Sequence, residues 1–224
     1  MAAAAFKDLC IDAADAAALG RFWGQVLGLG YVGHDDGSAH LVGPTDAHTV
    51  WINSVPEPRT VKQRVHLDVH TASVADLVAL GATVLEPAGE HMWTVLADPE
   101  GGELCAFVRD PVPAYRLYEV SVDCARPREV AQWWADVFGT GLAGDEANDW
   151  WWLEPLPGAP FEGLVFAPVP EPKAAKNRIH WDVTVDDVTP LLDRGATLLQ
   201  PRDSDIAWDV LADPEGNEFC AFTR

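Results

Sequence analysis

Lys176–Val183 reads KNRIHWDV, and Lys62–Val69 reads KQRVHLDV. Each octet holds a histidine and an aspartate two residues apart. Successive side chains of a strand point to opposite faces. Ile179, Trp181 and Val183 therefore share one face, and His180, Asp182 and Thr184 the other. In the earlier octet Val65, Leu67 and Val69 oppose His66, Asp68 and His70. One face is made for a core and the other for chemistry or for water.

The duplication extends along the chain. VPEPRTVKQRVHLDV (Val55–Val69) matches VPEPKAAKNRIHWDV (Val169–Val183), and GATVL (Gly81–Leu85) matches GATLL (Gly195–Leu199). WTVLADPEGGELCAF (Trp93–Phe107) matches WDVLADPEGNEFCAF (Trp208–Phe222) after one inserted residue. FWGQVLG (Phe22–Gly28) matches WWADVFG (Trp133–Gly139). A repeat of this length marks two structural units. They are read as domains at residues 1–110 and 115–224, with the stiff segment DPVPA (Asp110–Ala114) between them.

Each unit divides again. Its first half opens with an alternating strand, FKDLCID or YEVSVD, followed by a helix. Leu19, Phe22, Trp23, Val26 and Leu27, and then Val130, Trp133, Trp134, Val137 and Phe138, have the i, i+3, i+4, i+7, i+8 spacing of one apolar stripe. Gly28 and Gly139 stand where left-handed caps end such helices. The second half opens with the octet strand and a short helix, capped at Ser73 or Asp187 and stopped at Gly81 or Gly195. More strands follow, and DPEGG or DPEGN turns the last pair. The order is βαβββ four times over, an α+β chain. The alternation also sets Asp8, Cys10 and Asp12 against Leu9 and Ile11. Glu119, Ser121 and Asp123 oppose Val120 and Val122. Glu103, Cys105 and Phe107 share a face, as do Glu218, Cys220 and Phe222. Acids, histidines, thiols and phenylalanines together on one face suit a lined concavity better than plain solvent surface.

The 224 residues are 48% hydrophobic, enough for two small cores. Fifteen basic against 35 acidic residues give a net charge of −20, which repels polyanions and makes nucleic acid an unfavourable partner. No stretch has the length of a membrane span, and the N-terminal MAAAAFKDLC lacks a secretory h-region. Four cysteines without a C-x-x-C pair read as reduced thiols. The expectation is a soluble cytoplasmic protein. It needs neither nucleic acid nor membrane, and is a monomer with an internal pseudo-dimer or else a homodimer.

The paired βαβββ halves, the H-[LW]-D-V strand and the terminal A-D-P-E-G-[GN]-E-[LF]-C-A-F resemble the vicinal oxygen chelate superfamily. That superfamily includes glyoxalase I, bleomycin-resistance proteins and extradiol dioxygenases, and the chain is most similar to its glyoxalase-like subgroup. The resemblance implies curved mixed sheets in which two quarters form a cup, often around a metal. It leaves open whether a cup forms within one copy or between copies. Carried over, the first-strand ligand falls on Asp8 or Glu119, the octet ligand on His66 or His180, and the last-strand ligand on Cys105 or Cys220. The family's usual glutamate is missing at that last position, and Glu103 and Glu218 sit one pleat nearer the turn. The implied cofactor is a divalent metal, zinc first because it accepts O, N and S donors, or else no cofactor.

Ten tryptophans are many for this length. Trp133 and Trp134 have core spacing, and Trp93 and Trp208 read as packing residues. In Asp149-Trp150-Trp151-Trp152, Trp150 and Trp152 share a face and offer flat walls to a planar ligand. This favours copy two as the ligand cup. The ligand-binding candidates are Asp8, His66, Asp68, Glu103, Trp150, Trp152 and Asp182. The catalytic candidates are His180, as ligand or general base, with Glu119 or Glu218 moving a proton. The plainer alternative holds each histidine against a neighbouring acid, or pairs Asp68 and Asp182 with Arg64 and Arg178 at the surface. Three functions compete. One is a metal-assisted lyase, isomerase or oxygenase acting on a small oxygen-bearing or aromatic molecule. Another is a metal-free drug-resistance type of protein that sequesters such a molecule. The last is a scaffold with no ligand.

Overall fold

The computed structural model describes residues 2–89 and 91–224. The expected first domain begins at Met1, which lies outside the described residues. The first quarter is β1 (Ala5–Ala13), α1 (Ala16–Leu27), β2 (Gly30–Gly33), β3 (Ala39–Val42) and β4 (Val50–Ser54). The second is β5 (Val65–Thr71), α2 (Val74–Ala79), β6 (Thr83–Glu86), β7 (Thr94–Ala97) and β8 (Glu103–Val108). The third is β9 (Leu117–Cys124), α3 (Pro127–Phe138), β10 (Ala143–Asp145), β11 (Trp150–Leu153) and β12 (Gly163–Pro168). The fourth is β13 (Ile179–Val185), α4 (Thr189–Leu192), β14 (Thr197–Gln200), β15 (Asp209–Ala212) and β16 (Glu218–Thr223).

The quarters assemble across the repeat. One eight-stranded sheet runs β14-β15-β16-β13-β1-β4-β3-β2 and joins the fourth quarter to the first. The other runs β10-β11-β12-β9-β5-β8-β7-β6 and joins the third to the second. The seams are antiparallel: Cys10 opposes His180 where β1 meets β13, and His66 opposes Ser121 where β5 meets β9. Each sheet thus contains half of each copy, which decides the question the sequence left open.

Local sequence explains the helices. Asp15 caps α1 by accepting the Ala18 N–H at 2.9 Å, and Gly28 ends it at φ 74°. A Cβ on Gly28 would also collide with the Ala114 carbonyl, so the glycine lets the linker cross the helix end. Pro127 occupies the first turn of α3, where its missing N–H costs nothing, and Gly139 ends it at φ 64°. Ser73 caps α2, accepting the Asp76 N–H.

The apolar faces meet at the helices in one continuous core. Trp134 of α3 is fully buried and lies edge-on, 4.8 Å from Trp181 of β13 and 5.0 Å from Phe219 of β16. A helix of the third quarter thus also packs on the sheet of the fourth. Copy two is held together back to back through its helix, while its strand edges pair with copy one. The DPEG turns reinforce this. Asp213 Oδ2 accepts the Trp134 indole N–H at 3.1 Å, and Glu215 accepts the Ala125 and Arg126 N–H groups. In copy one Glu100 accepts the Ala14 and Asp15 N–H groups. The sequence reading gave these residues only a turn to make. They also fasten each second-half hairpin to the start of the first-half helix.

Candidate functional site

The inner face of each sheet centres on the octet aspartate. Asp182 is only 2% exposed. Its Oδ1 lies 3.1 Å from His180 Nδ1, and Cys10 Sγ donates to its Oδ2 at 3.5 Å. Cys220 stands beside it on β16 in register. In the other sheet Asp68 is 5% exposed, its Oδ1 lies 3.4 Å from His66 Nε2, and Ser121 donates to its Oδ2 at 2.8 Å. Cys105 is its register partner on β8. Both octet histidines point inward, as pleating requires. The surface pairing with arginine does not form: Arg64 donates to the Asp123 and Glu171 carbonyls, and Arg178 to those of Asp12 and Glu57.

These buried donors suit a cation better than they suit one another. Among the described residues, His180 Nδ1, Asp182 Oδ1 and Asp68 Oδ1 are buried and make no well-formed hydrogen bond, although each histidine stands at ion-pairing distance from its aspartate, and Asp182 pushes the His180 imidazole up against the effect of burial. One nitrogen, oxygen and sulfur donor each from Cys10, His180 and Asp182 lie within 4.8 Å of one another, as do those of His66, Asp68 and Cys105. A tetrahedral zinc with bonds of roughly 2.0–2.3 Å spaces its ligand atoms about 3.3–3.8 Å apart. The His66–Asp68 separation of 3.4 Å and the 3.5 Å from Cys10 to Asp182 Oδ2 match that spacing, and the 3.1 Å from His180 to Asp182 Oδ1 falls just below it. Burial, followed by the neighbouring aspartate charge, pushes the Cys10, Cys105 and Cys220 thiols up. Without a cation they stay protonated. With zinc, each set would supply one nitrogen, one oxygen and one sulfur ligand. The residues fit a metal.

The cross-copy sheets divide the expected catalytic group. His180 and Glu218 stand on one sheet and Glu119 on the other. Glu218 is held by Lys173 at 2.7 Å and by the Asn177 N–H, and Glu103 in the same way by Arg59 and the Gln63 N–H. Both glutamates thus anchor the loops that enter β13 and β5. Asp8 is bound by Lys7 at 2.6 Å and by the Trp51 indole at 3.1 Å. Burial, against the pull of Lys7, pushes it up to about 6. Asp8, Glu119 and Cys220 stand outside the two compact donor sets, in which Cys10, Asp182 and Asp68 appear instead.

Glu119 opposes Asp68 in register and has no cationic partner among the described residues. Burial, then the Asp68 and Glu162 charges, pushes its carboxyl up to about 7 from 4.5. Between those values the native chain holds a proton that the unfolded chain has released, so Glu119 costs stability as pH rises through that window. Glu119→Gln should therefore match the parent near pH 4.5 and exceed it by about 1–2 kcal/mol at pH 8, a figure discounted for partial exposure. Urea unfolding of metal-stripped protein at both pH values checks this.

The sheets differ at the far end of the octet strand. In the β5 sheet His70 stacks on Tyr118 with centroids 4.6 Å apart, and Phe107 meets Tyr118 at 5.1 Å. Trp93 lies 5.7 Å from both Phe107 and Trp150. Trp93 precedes β7 and Trp150 belongs to β11, near opposite edges of the sheet, so the sheet curls until its rims meet. Trp151 turns away and is buried beneath Arg128. Trp150 and Trp152 thus belong to the cup of His66, and not to that of His180. In the β13 sheet Lys7 replaces Tyr118, and its ammonium sits 4.2 Å above the Phe222 ring. Trp208 lies tilted against Phe222, with centroids 5.2 Å apart.

A cavity of about 930 Å³ lies between the two loops that cross from sheet to sheet. Its basic side chains are committed: Lys62 to Asp123, Lys176 to Asp12, and Arg59 and Lys173 to the anchoring glutamates. The cup donors, not this crevice, form the candidate site.

The chain resembles several solved structures over almost its whole length. Glyoxalase I from Zea mays is 10% identical with a TM-score of 0.68, covering 98% of this chain and 92% of that one. A putative dioxygenase from Bacillus subtilis subsp. subtilis str. 168 is 14% identical with a TM-score of 0.62, covering 99% and 86%. At these identities the likeness shows the fold alone. No curated protein sequence matches the chain significantly. No described helix is long and apolar enough to cross a membrane. The family model of the glyoxalase-like domain matches residues 8–107 and again 119–222. With two such matches on paired βαβββ quarters, the chain belongs to the glyoxalase-like domain family, as a two-copy member of the vicinal oxygen chelate superfamily.

Proposed function

We propose that the chain is a metal-dependent enzyme acting on a small oxygen-bearing molecule, with its chemistry in the cup shared by β5, β8 and β9. The observation that carries this reading is the histidine–aspartate–cysteine set in each cup, whose nitrogen, oxygen and sulfur donors lie within 4.8 Å of one another. His66, Asp68 and Cys105 would hold the metal in the working cup, and Cys10, His180 and Asp182 in the other. A bound zinc would polarise a carbonyl or enolate oxygen of the substrate. Ser121 holds the second oxygen of Asp68 and so fixes the direction of the first. Glu119, across the seam from Asp68 and without a cationic partner among the described residues, accepts a proton from the carbon beside the substrate oxygen and returns it to product. The aromatic rim excludes water. Isomerase or lyase chemistry follows from that proton transfer.

Metal analysis of the purified protein tests the proposal. Two zinc-class ions per chain are expected, falling to one in His66→Ala and in His180→Ala and to none in the double variant. His66→Ala should lower activity by at least about 10²-fold, and His180→Ala should do far less. A protein that holds no metal, and is not stabilised by added zinc, refutes the metal reading. If it then binds planar compounds, it is a sequestering protein.

A further inference from the structure

His70 and Arg109 lie outside the metal sets and have no assigned partner. His70 is 8% exposed, and both of its ring nitrogens are buried without a hydrogen bond among the described residues. An imidazole always carries at least one N–H, so a buried donor here goes unused. Arg109 lies at the same place, 5.6 Å from the Phe107 ring and 5.7 Å from that of Tyr118. Among the described residues its guanidinium makes one hydrogen bond, to its neighbour's carbonyl, Val108, at 3.2 Å, and no described carboxylate pairs with it. The guanidinium and the imidazole thus meet at Tyr118, with no described carboxylate on either.

The duplicated half serves as an internal control. Arg224 takes the place of Arg109 and Thr184 that of His70. There Arg224 donates to Thr184 Oγ1 at 3.1 Å and lies 4.0 Å from Asp186. The aromatic end of that cup is already filled by the Lys7 ammonium. The same framework is satisfied from within in one cup and left open in the other.

We propose that the cup of β5 and β9 binds an aromatic carboxylate: Arg109 and His70 take the carboxylate, and the ring lies against Trp93, Trp150 and Phe107. A guanidinium suits a planar carboxylate, to which it can donate two parallel hydrogen bonds. The aromatic wall suits the ring. Along β5, His70 is one pleat, about 7 Å, from Asp68. A ligand about one ring long would thus reach from Arg109 to the donor set. This inference rests on the reading of that cup as the ligand site and names what it takes.

Calorimetric titration of the full chain, metal-stripped and zinc-loaded, tests it with 2-naphthoate and its neutral counterpart 2-naphthamide. One naphthoate per chain is expected, bound at least 10-fold tighter than the amide. Arg109→Gln and His70→Leu should each weaken naphthoate 10-fold or more and barely change the amide. Trp150→Ala should weaken both, and Arg224→Gln neither. Unchanged melting temperatures identify variants that still fold, and His70→Gln, which restores a donor, should recover part of the affinity. Equal affinity for the two probes, indifference to Arg109→Gln, or loss on Arg224→Gln overturns the proposal. Naphthoate binding to a protein that takes no metal would sink the metal reading and leave this one standing. A zinc-loaded protein blind to naphthoate would do the reverse.

Discussion

Trp134→Ala should destabilise the chain by about 3–5 kcal/mol, the cost of emptying a fully buried aromatic site. Trp134 has no exposed surface and sits between two sheets. It touches Trp133 and Phe138 on its own helix and Trp181 and Phe219 on the facing sheet. Its indole N–H also binds Asp213, which is itself only 2% exposed. Trp134→Phe keeps most of the volume and loses the N–H, so it should cost about 1–2 kcal/mol. Urea unfolding of the two variants separates packing from the hydrogen bond. A loss below about 1 kcal/mol in the alanine variant would mean that the helix does not bridge the halves of copy two.

Residues 1–112 expressed alone should form a dimer. In the full chain β1 pairs with β13 and β5 with β9. Cutting out copy two turns both central strands into bare edges, and such edges seek another strand. The repeat supplies one. β13 is the counterpart of β5 and β9 that of β1, so a second copy of the fragment can rebuild both seams. Sedimentation should give twice the fragment mass, and dilution should dissociate and unfold the fragment together, because the dimer is its only closed form. A folded monomer would show that the half closes on itself and that the cross-copy seams are dispensable.

Much of this architecture could be read from the residues. The helical stripes and the H-x-D-V strands predicted βαβββ units, and pleating alone turned His66, Asp68, His180 and Asp182 inward. Partner choice could not be read, because β1 presents the same alternation to either octet strand and local patterns fit both seams. Short side chains hid other roles. Cys10 and Ser121 were visible on the inner face, but nothing in their spacing marked them as partners of the octet aspartates. Glu218 looked free for catalysis and Glu103 for binding a ligand, since the lysine and arginine that hold them arrive from the crossing loops. His70 belonged to the same alternation as His66. The signal that could have singled it out was its replacement by threonine in the other copy.

The crossing of the chain between sheets has a consequence for how such a duplicate can change. Neither copy owns a cup, so an idle cup would release the first and fourth quarters from constraint and keep the second and third under it. Tyr118 against Lys7, and His70 against Thr184, already differ along that division. Specialisation in this chain should therefore be written by quarter, with each inherited half drifting in one part and held fast in the other.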